Sequence, residues 1–509
     1  MARVYSNRLS EYTHENGGRV VLLFLLFALA IYEFINAGFN SFAVICLSPL
    51  AILFVYVAFR WKMGIFWLLM VVNWFIMNRN FEISFPKSLA DEMLELLLIA
   101  MALIDIRETQ YFGRAWNFML FAVMIWFGFC TLELFNDTCG LGMNFNAWFT
   151  GMRLLALHLV WIVLVISLYI SNPQRLIAYL RVWAALSLFS AFWTWKMKTI
   201  GFTATEQSWL YNSGYVTHIL NGGTLIRYFS TFNDAATYGC NASASAIAFL
   251  IIGITSKLRI DKIFFILTSL IVLWGMFQSG TRTAMVTFIA GFVVFLFLAK
   301  SAKILIPSAI IGGFFLFILI FTNIGNGNQQ IRRMRTAFDK KDASANVRDI
   351  NKAAISKYMK DAPWGIGIGM MAEDIPAWNK FQKLSAIPPD SEYVFIWVRT
   401  GPIGVTVFTC CMVLMLLGGC FIVLFRLKNP SLIGIGGGLC AAFVSIHLGG
   451  YANQILYQYP NGFTFFGAMA VVYVLPFIEP EWIKYEEKRL ADIAEKKRLR
   501  LEKKLASRV

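Results

Sequence analysis

The sequence predicts an all-α polytopic integral membrane protein, with about 14 transmembrane helices (about 12–14) and a large, partly helical outer loop. Three observations lead there. Of the 509 residues 58% are apolar and only 15% are charged, where soluble domains carry roughly 25% charged residues. The mean hydropathy is +0.63. Apolar runs of bilayer length recur along most of the chain. A soluble chain of this length would split into several domains with polar surfaces to cover them, and this composition excludes that class.

The elements follow in order. Residues 1–19 read as a polar N-terminus on the cytoplasmic side, and 20–478 as the transmembrane domain. Its spans lie near 20–36, 41–59, 63–78, 88–105, 117–135, 151–171, 176–195, 236–255, 263–277, 284–299, 304–322, 394–425, 431–450 and 463–478. Ala28-Leu29-Ala30 resembles a signal-peptide cleavage site. The apolar stretch runs on past it and a second span follows at once, so it reads as an uncleaved first helix. Residues 479–509 form a tail of alternating acidic and basic residues, the pattern of a solvated or membrane-surface cytoplasmic helix.

The formal charge is +16, from 45 Lys+Arg against 29 Asp+Glu. Most of that excess falls on connections of one parity, with Arg60, Lys62, Arg107, Arg114, Lys257, Arg259, Lys300 and Arg426 among them, and on the tail. The short connections 37–40, 136–150 and 451–462 hold no Lys or Arg. This is the positive-inside bias. It sets both termini in the cytoplasm and needs no nucleic-acid partner. The eight Cys show no C-x-x-C pair and no zinc spacing, so free, mostly buried thiols are expected.

Two outer segments are too long for turns, 196–235 and 323–392. Within the second, Val347, Ile350, Ala354 and Tyr358 share one face of an expected amphipathic helix over 346–360. Asp91, Glu92, Glu95 and Glu133 read as headgroup-level residues at span ends. His158, His218 and His447 stand isolated, and the Tyr451–Tyr459 stretch fits either an aromatic belt or a sugar site. Gly365-Ile-Gly367-Ile-Gly369 lacks the strand–turn–helix setting of a dinucleotide fingerprint and reads as a turn.

Three polar clusters fall on one side of the membrane: Arg227 through Asn233-Asp234, Ser279-Gly-Thr-Arg282-Thr283, and Pro388-Pro-Asp390-Ser391-Glu392-Tyr393. Each opens a helix running inward. Helix N-termini favour anions, and arginine grips phosphate oxygens in two-pronged fashion. The plain alternatives are arginines snorkelling to headgroups or bracing turns, and Asp390 and Ser391 acting as N-caps.

The order of these motifs resembles the O-antigen ligase and O-antigen polymerase superfamily. The similarity spans about 225–425 and includes Arg348, Pro363-Trp-Gly-Ile-Gly-Ile-Gly369 and Arg399-Thr-Gly401-Pro-Ile-Gly404. Two departures stand out. Asp390 occupies the place of the histidine that ligases carry, and Asn233-Asp234 replaces Pro-Asn.

The resemblance implies a metal-independent, inverting glycosyltransferase without cofactors. It would move an undecaprenyl- or other polyprenyl-diphosphate-linked oligosaccharide onto an acceptor glycan hydroxyl on the periplasmic side of a bacterial inner membrane. The setting would be O-antigen, lipopolysaccharide or exopolysaccharide biosynthesis. Arg227, Arg282, Arg348 and Asn233 would bind diphosphate or glycan. Asp390 or Glu392 would orient or deprotonate the acceptor, with Arg282 stabilising the leaving group. The missing histidine favours a polymerase over a ligase acting on a lipid core. Membrane lipids and other polysaccharide-assembly proteins are the expected partners. A lipid-linked oligosaccharide flippase is the rival from another class, although no internal repeat is visible; a non-catalytic assembly scaffold is the third possibility.

Overall fold

The computed structural model describes residues 60–506 apart from 81–86, 105–111, 221–222, 301, 328, 336–342 and 386, together with scattered helical positions in 18–57. The chain divides into two compact units, Met1–Ile65 and Phe66–Val509. The expected spans 20–36 and 41–59 lie largely outside the described residues.

From the second half of the first hydrophobic third onward, the helices run in order. They are α1 (Lys62–Phe75), α2 (Lys87–Ile104), α3 (Phe118–Leu132), α4 (Phe145–Tyr169, with a π turn at Arg153–Leu157) and α5 (Pro173–Thr199). Then come α6 (Ala235–Thr255), α7 (Arg259–Gln278), α8 (Arg282–Leu298), α9 (Ala302–Phe321), α10 (Gln329–Arg335) and α11 (Ala343–Met359). The last are α12 (Glu392–Phe421), α13 (Pro430–Ala452) and α14 (Gly467–Ala506). Every expected span from 63 onward falls on one of these helices.

Among the described residues, 8 helices are long and apolar enough to cross a membrane, and α1, α8 and part of α9 are shorter apolar helices. The expected count of about 14 is therefore not reached by length and composition alone. Helix α2 has 18 residues but carries Lys87, Asp91, Glu92 and Glu95, too many charges for a plain span.

Sequence decides which helices sit inside. Helix α6 (AATYGCNASASAIAFLIIGIT) and α13 are rich in Ala, Gly and Ser, which let backbones approach closely in a membrane bundle. A Cβ on Gly438 would stand 3.0 Å from the Ala248 carbonyl oxygen of α6. Of their most apolar windows, 89% and 83% are buried, against 39% for α3 and α7 and 33% for α12 with its extension. The last three present Phe121, Leu267, Ile271 and Leu417 outward, the surface a bilayer would cover.

Ion pairs and hydrogen bonds join the connectors in two sets, as alternating spans require. Arg181 and Arg489 meet Asp261, Lys257 meets Glu486, and Lys300 donates to the Leu427 carbonyl. At the other ends, Asn80 donates to Glu206, Asn136 to the Trp364 carbonyl, and Arg227 to the Ser279 carbonyl. Two short strands, Ile219–Leu220 and Leu225–Ile226, pair antiparallel with Ile219 opposite Ile226, the sheet found among the described residues. This hairpin delivers Arg227 to the bundle.

The amphipathic helix in the long outer segment is present as α11, but its buried face is rotated. Ile355 and Met359 are buried, while Val347 and Ile350 are 53% and 66% exposed. The C-terminal half packs into a cluster with Phe381, Leu384 and Val398. The other half turns Arg348 and Asn351 toward the helix bundle instead. Of the described cysteines all are free, Cys130, Cys240, Cys411 and Cys440 are buried, and Cys410 is exposed.

Candidate active site

Two glycine-bearing turns build the site. At the α7–α8 turn, the Ser279 hydroxyl donates to the Met276 carbonyl at 2.7 Å and closes α7. Gly280 follows with φ 58°, a left-handed conformation that glycine adopts without the Cβ clash. The Thr281 hydroxyl then donates to the Ala235 carbonyl at 2.8 Å, tying this turn to the start of α6. Arg282 is the first residue of α8, whose N-cap Thr281 makes no side-chain cap.

Arg227 is clamped by the same turn. Its guanidinium donates to the Thr217 carbonyl at 2.9 Å, the Thr281 hydroxyl at 3.0 Å and the Ser279 carbonyl at 3.3 Å. Neutral partners thus hold the side chain without cancelling its charge. Burial lowers its pKa, Asp234 raises it, and Arg282 and Arg348 lower it further.

Arg227, Arg282 and Arg348 all line one cavity of about 660 Å³. Sequence reading missed a fourth arginine in its wall, Arg333 of α10. The Arg333 Nε donates to the Gly280 carbonyl at 2.7 Å. Burial, then Arg227 and Arg282, lower its pKa to about 10. The signal in the sequence was Arg332-Arg333-Met-Arg335, which looks like an ordinary solvated charge run.

The one carboxylate in the wall is Asp234. It is committed to the N-terminus of α6: one oxygen accepts from the Ala236 and Thr237 N–H groups, the other from the Thr237 hydroxyl. The first turn of α6 is thereby closed to an outside anion, leaving α8 as the helix end that faces the cavity with no side-chain cap. His218 is likewise engaged, its Nε2 accepting the Ala235 N–H at 3.1 Å. Burial, then Arg227, push its pKa down to about 4, so the ring is neutral at pH 7.

The remaining sequence candidates lie outside the wall of this cavity. Asn233 is held by Arg79, which donates to its backbone carbonyl and to its side chain. Arg79 stacks over the Trp209 ring at 3.4 Å, and burial lowers its pKa to about 10. Asp390 sits in a left-handed conformation with φ 50° and accepts a hydrogen bond from Asn351 at 2.6 Å. Asn351 is one helical turn beyond Arg348 on α11, so Asp390 stands one turn from the arginine wall. Ser391 is the N-cap residue of α12 but makes no side-chain cap; its hydroxyl donates to the Gly450 carbonyl.

Glu392 is buried, 4% exposed, and accepts the Leu456 N–H at 2.9 Å. It lines a second cavity of about 430 Å³ with His158, Gln454 and Tyr459. The strip 451–459 separates the two: Tyr451 and Asn453 face the arginines, and Gln454, Tyr457 and Tyr459 face Glu392. The acids read as headgroup-level residues are instead interior. Asp91, Glu92 and Glu95 are 0%, 3% and 0% exposed, because they meet His158 and Arg153 of α4. Spacing of four between Asp91 and Glu95 puts them on one helix face, the signal that was available.

The glycine motif Pro363–Gly369 is a docking seam, not a ligand loop. Gly365 and Gly401 carry φ of 72° and 70°. A Cβ on Gly365 would lie 2.4 Å from the Arg399 carbonyl, and one on Gly401 2.1 Å from that of Pro363. Gly401 breaks α12, and Pro402 has no N–H to return to the Val398 carbonyl. The Ile366 and Gly367 N–H groups fill the gap, reaching the Val398 and Arg399 carbonyls at 2.9 and 3.0 Å.

None of the curated proteins compared with the chain matches it. Residues 267–409 match the family model described as O-antigen ligase. That segment contains Arg282, Arg333, Arg348, Asp390, the docked glycine loop and the break at Gly401, and over it the chain is similar to the O-antigen ligase family.

Proposed function

We propose that this protein is a membrane glycan polymerase of the inner membrane of a bacterium, working on the periplasmic side. It moves a polyprenyl-diphosphate-linked oligosaccharide onto a hydroxyl of an acceptor glycan. The observation that carries this reading is the cavity of about 660 Å³ walled by four arginines and by one carboxylate already spent on a helix end. Such a hollow is built for a small, multiply charged anion at the membrane interface, and a lipid diphosphate is one.

The chemistry is a direct displacement. The acceptor oxygen forms a bond to the anomeric carbon from the face opposite the diphosphate, and the carbon–oxygen bond to diphosphate breaks with inversion. The electron pair stays on the diphosphate oxygen, where Arg227 and Arg282 stabilise the growing charge, while Arg333 helps to hold the bound diphosphate. The α8 N-terminus adds to that field. Arg348 contacts the diphosphate or the first sugar. The acceptor proton passes to Asp390, a carboxylate in reach of the wall and free of any cation partner among the described residues. No nucleotide is needed, because the diphosphate is itself the leaving group.

The test uses purified protein with polyprenyl-diphosphate oligosaccharide and products resolved by size. A product ladder is expected. A single transfer to added lipid core would make it a ligase, and unchanged glycan with lipid crossing the bilayer would make it a flippase. Arg282→Ala should slow product formation about 10²–10³-fold while the protein still elutes as a folded species. Asp390→Asn should cost about 10²–10³ in rate if the carboxylate takes the proton, and near wild-type turnover would remove it from that role.

A further inference from the structure

The second cavity adjoins a cluster the transfer chemistry does not use. The side chains of Asp91 and Glu95 from α2 and His158 from α4 offer ligand atoms that all lie within 4.8 Å of one another. His158 Nε2 stands 3.2 Å from Asp91 Oδ2 and 3.2 Å from Glu95 Oε1. Ligands about 2.1 Å from a tetrahedral ion are separated by roughly 3.4 Å, so both measured edges suit a shared ion.

Hydrogen bonding alone leaves this cluster short. A ring nitrogen carries one hydrogen at most, and that hydrogen cannot serve two carboxylate oxygens equally. Neither oxygen of Glu95 accepts a regular hydrogen bond, although the residue is fully buried. Asn73 supplies Asp91 through a single amide nitrogen, 3.1 Å from each oxygen. Among the described residues one guanidinium, that of Arg153, meets these acids, and it meets Glu92, leaving Asp91 and Glu95 to His158.

A separate observation points to the same ligand. The Tyr459 hydroxyl has no hydrogen-bond partner, and the residue is 8% exposed. Tyr459 lines the second cavity beside His158, and its phenol lies within the field of Asp91, Glu95 and Glu92. Its ring centroid lies 6.1 Å from that of His158, so an ion open to this cavity would offer that hydroxyl a partner through a bound water.

We infer that Asp91, Glu95 and His158 form a binding site for one divalent transition-metal ion of the Zn²⁺ or Mn²⁺ class, open toward the cavity that holds Tyr459 and Glu392. One imidazole and two carboxylates are ligands these ions accept. The ion takes no part in the displacement. It pins α2 to α4 beneath the strip 454–459.

The full-length protein, stripped with chelator and desalted in detergent, is titrated with Zn²⁺ and with Mn²⁺ by calorimetry. Bound metal is counted by elemental analysis, and thermal unfolding is followed in parallel. The expected result is one equivalent bound with a rise in Tm, and at least a 100-fold loss of affinity in Glu95→Gln and in Asp91→Asn. Co²⁺ should show visible ligand-field absorption in wild type, a readout that stands if a variant fails to fold. Less than a tenth of an equivalent bound without a Tm shift overturns the site. So does binding that is unchanged in both variants, which would mark adventitious metal.

Discussion

Two polar hollows lie on either side of one strip of chain, and they are built on opposite principles. The arginine cavity keeps charge exposed to a guest: Arg227 is held by carbonyl and hydroxyl oxygens, while the acid Asp234 is spent on α6. Beside the other cavity the acids are turned inward: Glu392 accepts the Leu456 N–H, and on α2 Glu92 meets Arg153. Neutral partners leave the charge of Arg227 usable, whereas the carboxylate of Glu92 is matched by an opposite charge. The first arrangement suits a site that must receive an anion, the second a site that braces structure.

Substitutions can break that contrast, beginning with the strongest. Arg282→Ala should lower the transfer rate about 10²–10³-fold, near 3–4 kcal/mol of transition-state stabilisation, with thermal unfolding little changed. Turnover close to wild type would mean that the arginine wall is not the diphosphate site. Next comes His218, neutral in the fold with a pKa of about 4 against an ordinary value of 6.5. Between those values the unfolded chain binds the extra proton. Stability is therefore full above pH 6.5 and is lost as pH falls toward 4, by on the order of 2–3 kcal/mol. His218→Gln should flatten that part of the unfolding profile, and a variant with the wild-type slope would assign it to other groups.

Arg333→Ala should raise KM for the lipid-linked donor about tenfold, near 1.4 kcal/mol, leaving kcat similar. A fall in kcat with KM unchanged would move Arg333 from binding to the transition state. The smallest effect is expected for Glu392→Gln, whose amide oxygen can still accept the Leu456 N–H. Turnover within about threefold of wild type is expected, under 1 kcal/mol. A loss as large as that of Arg282→Ala would erase the distinction between the two hollows and restore Glu392 as a catalytic group.

The arginines at 227 and 282 were legible because each sits in a motif that also dictates a turn or helix start, whereas Arg348, inside a helix, was singled out through the family resemblance. Arg333 was not, since only the packing of α10 against Gly280 distinguishes it from Arg332 and Arg335. Apolar runs revealed the helices from 63 onward, but not which of them lie inside; small-residue content in α6 and α13 was the clue to that. The carboxylates were hardest to place. Whether Asp390 and Glu392 cap a helix, face a cavity or brace a loop depends on Asn351 and Leu456, residues far away in sequence. The same holds for Asp91 and Glu95, whose burial needs His158 from another helix.

The seam at Gly401 constrains how the chain can be made. The Ile366 and Gly367 amides find their acceptors only on Val398 and Arg399, some thirty residues further along and in the next helix. During synthesis the outer segment therefore emerges before its docking surface exists. It cannot mature as an autonomous domain, and a chain truncated before Val398 would leave those amides without their acceptors. Assembly of this side of the molecule waits on delivery of the helix that follows it.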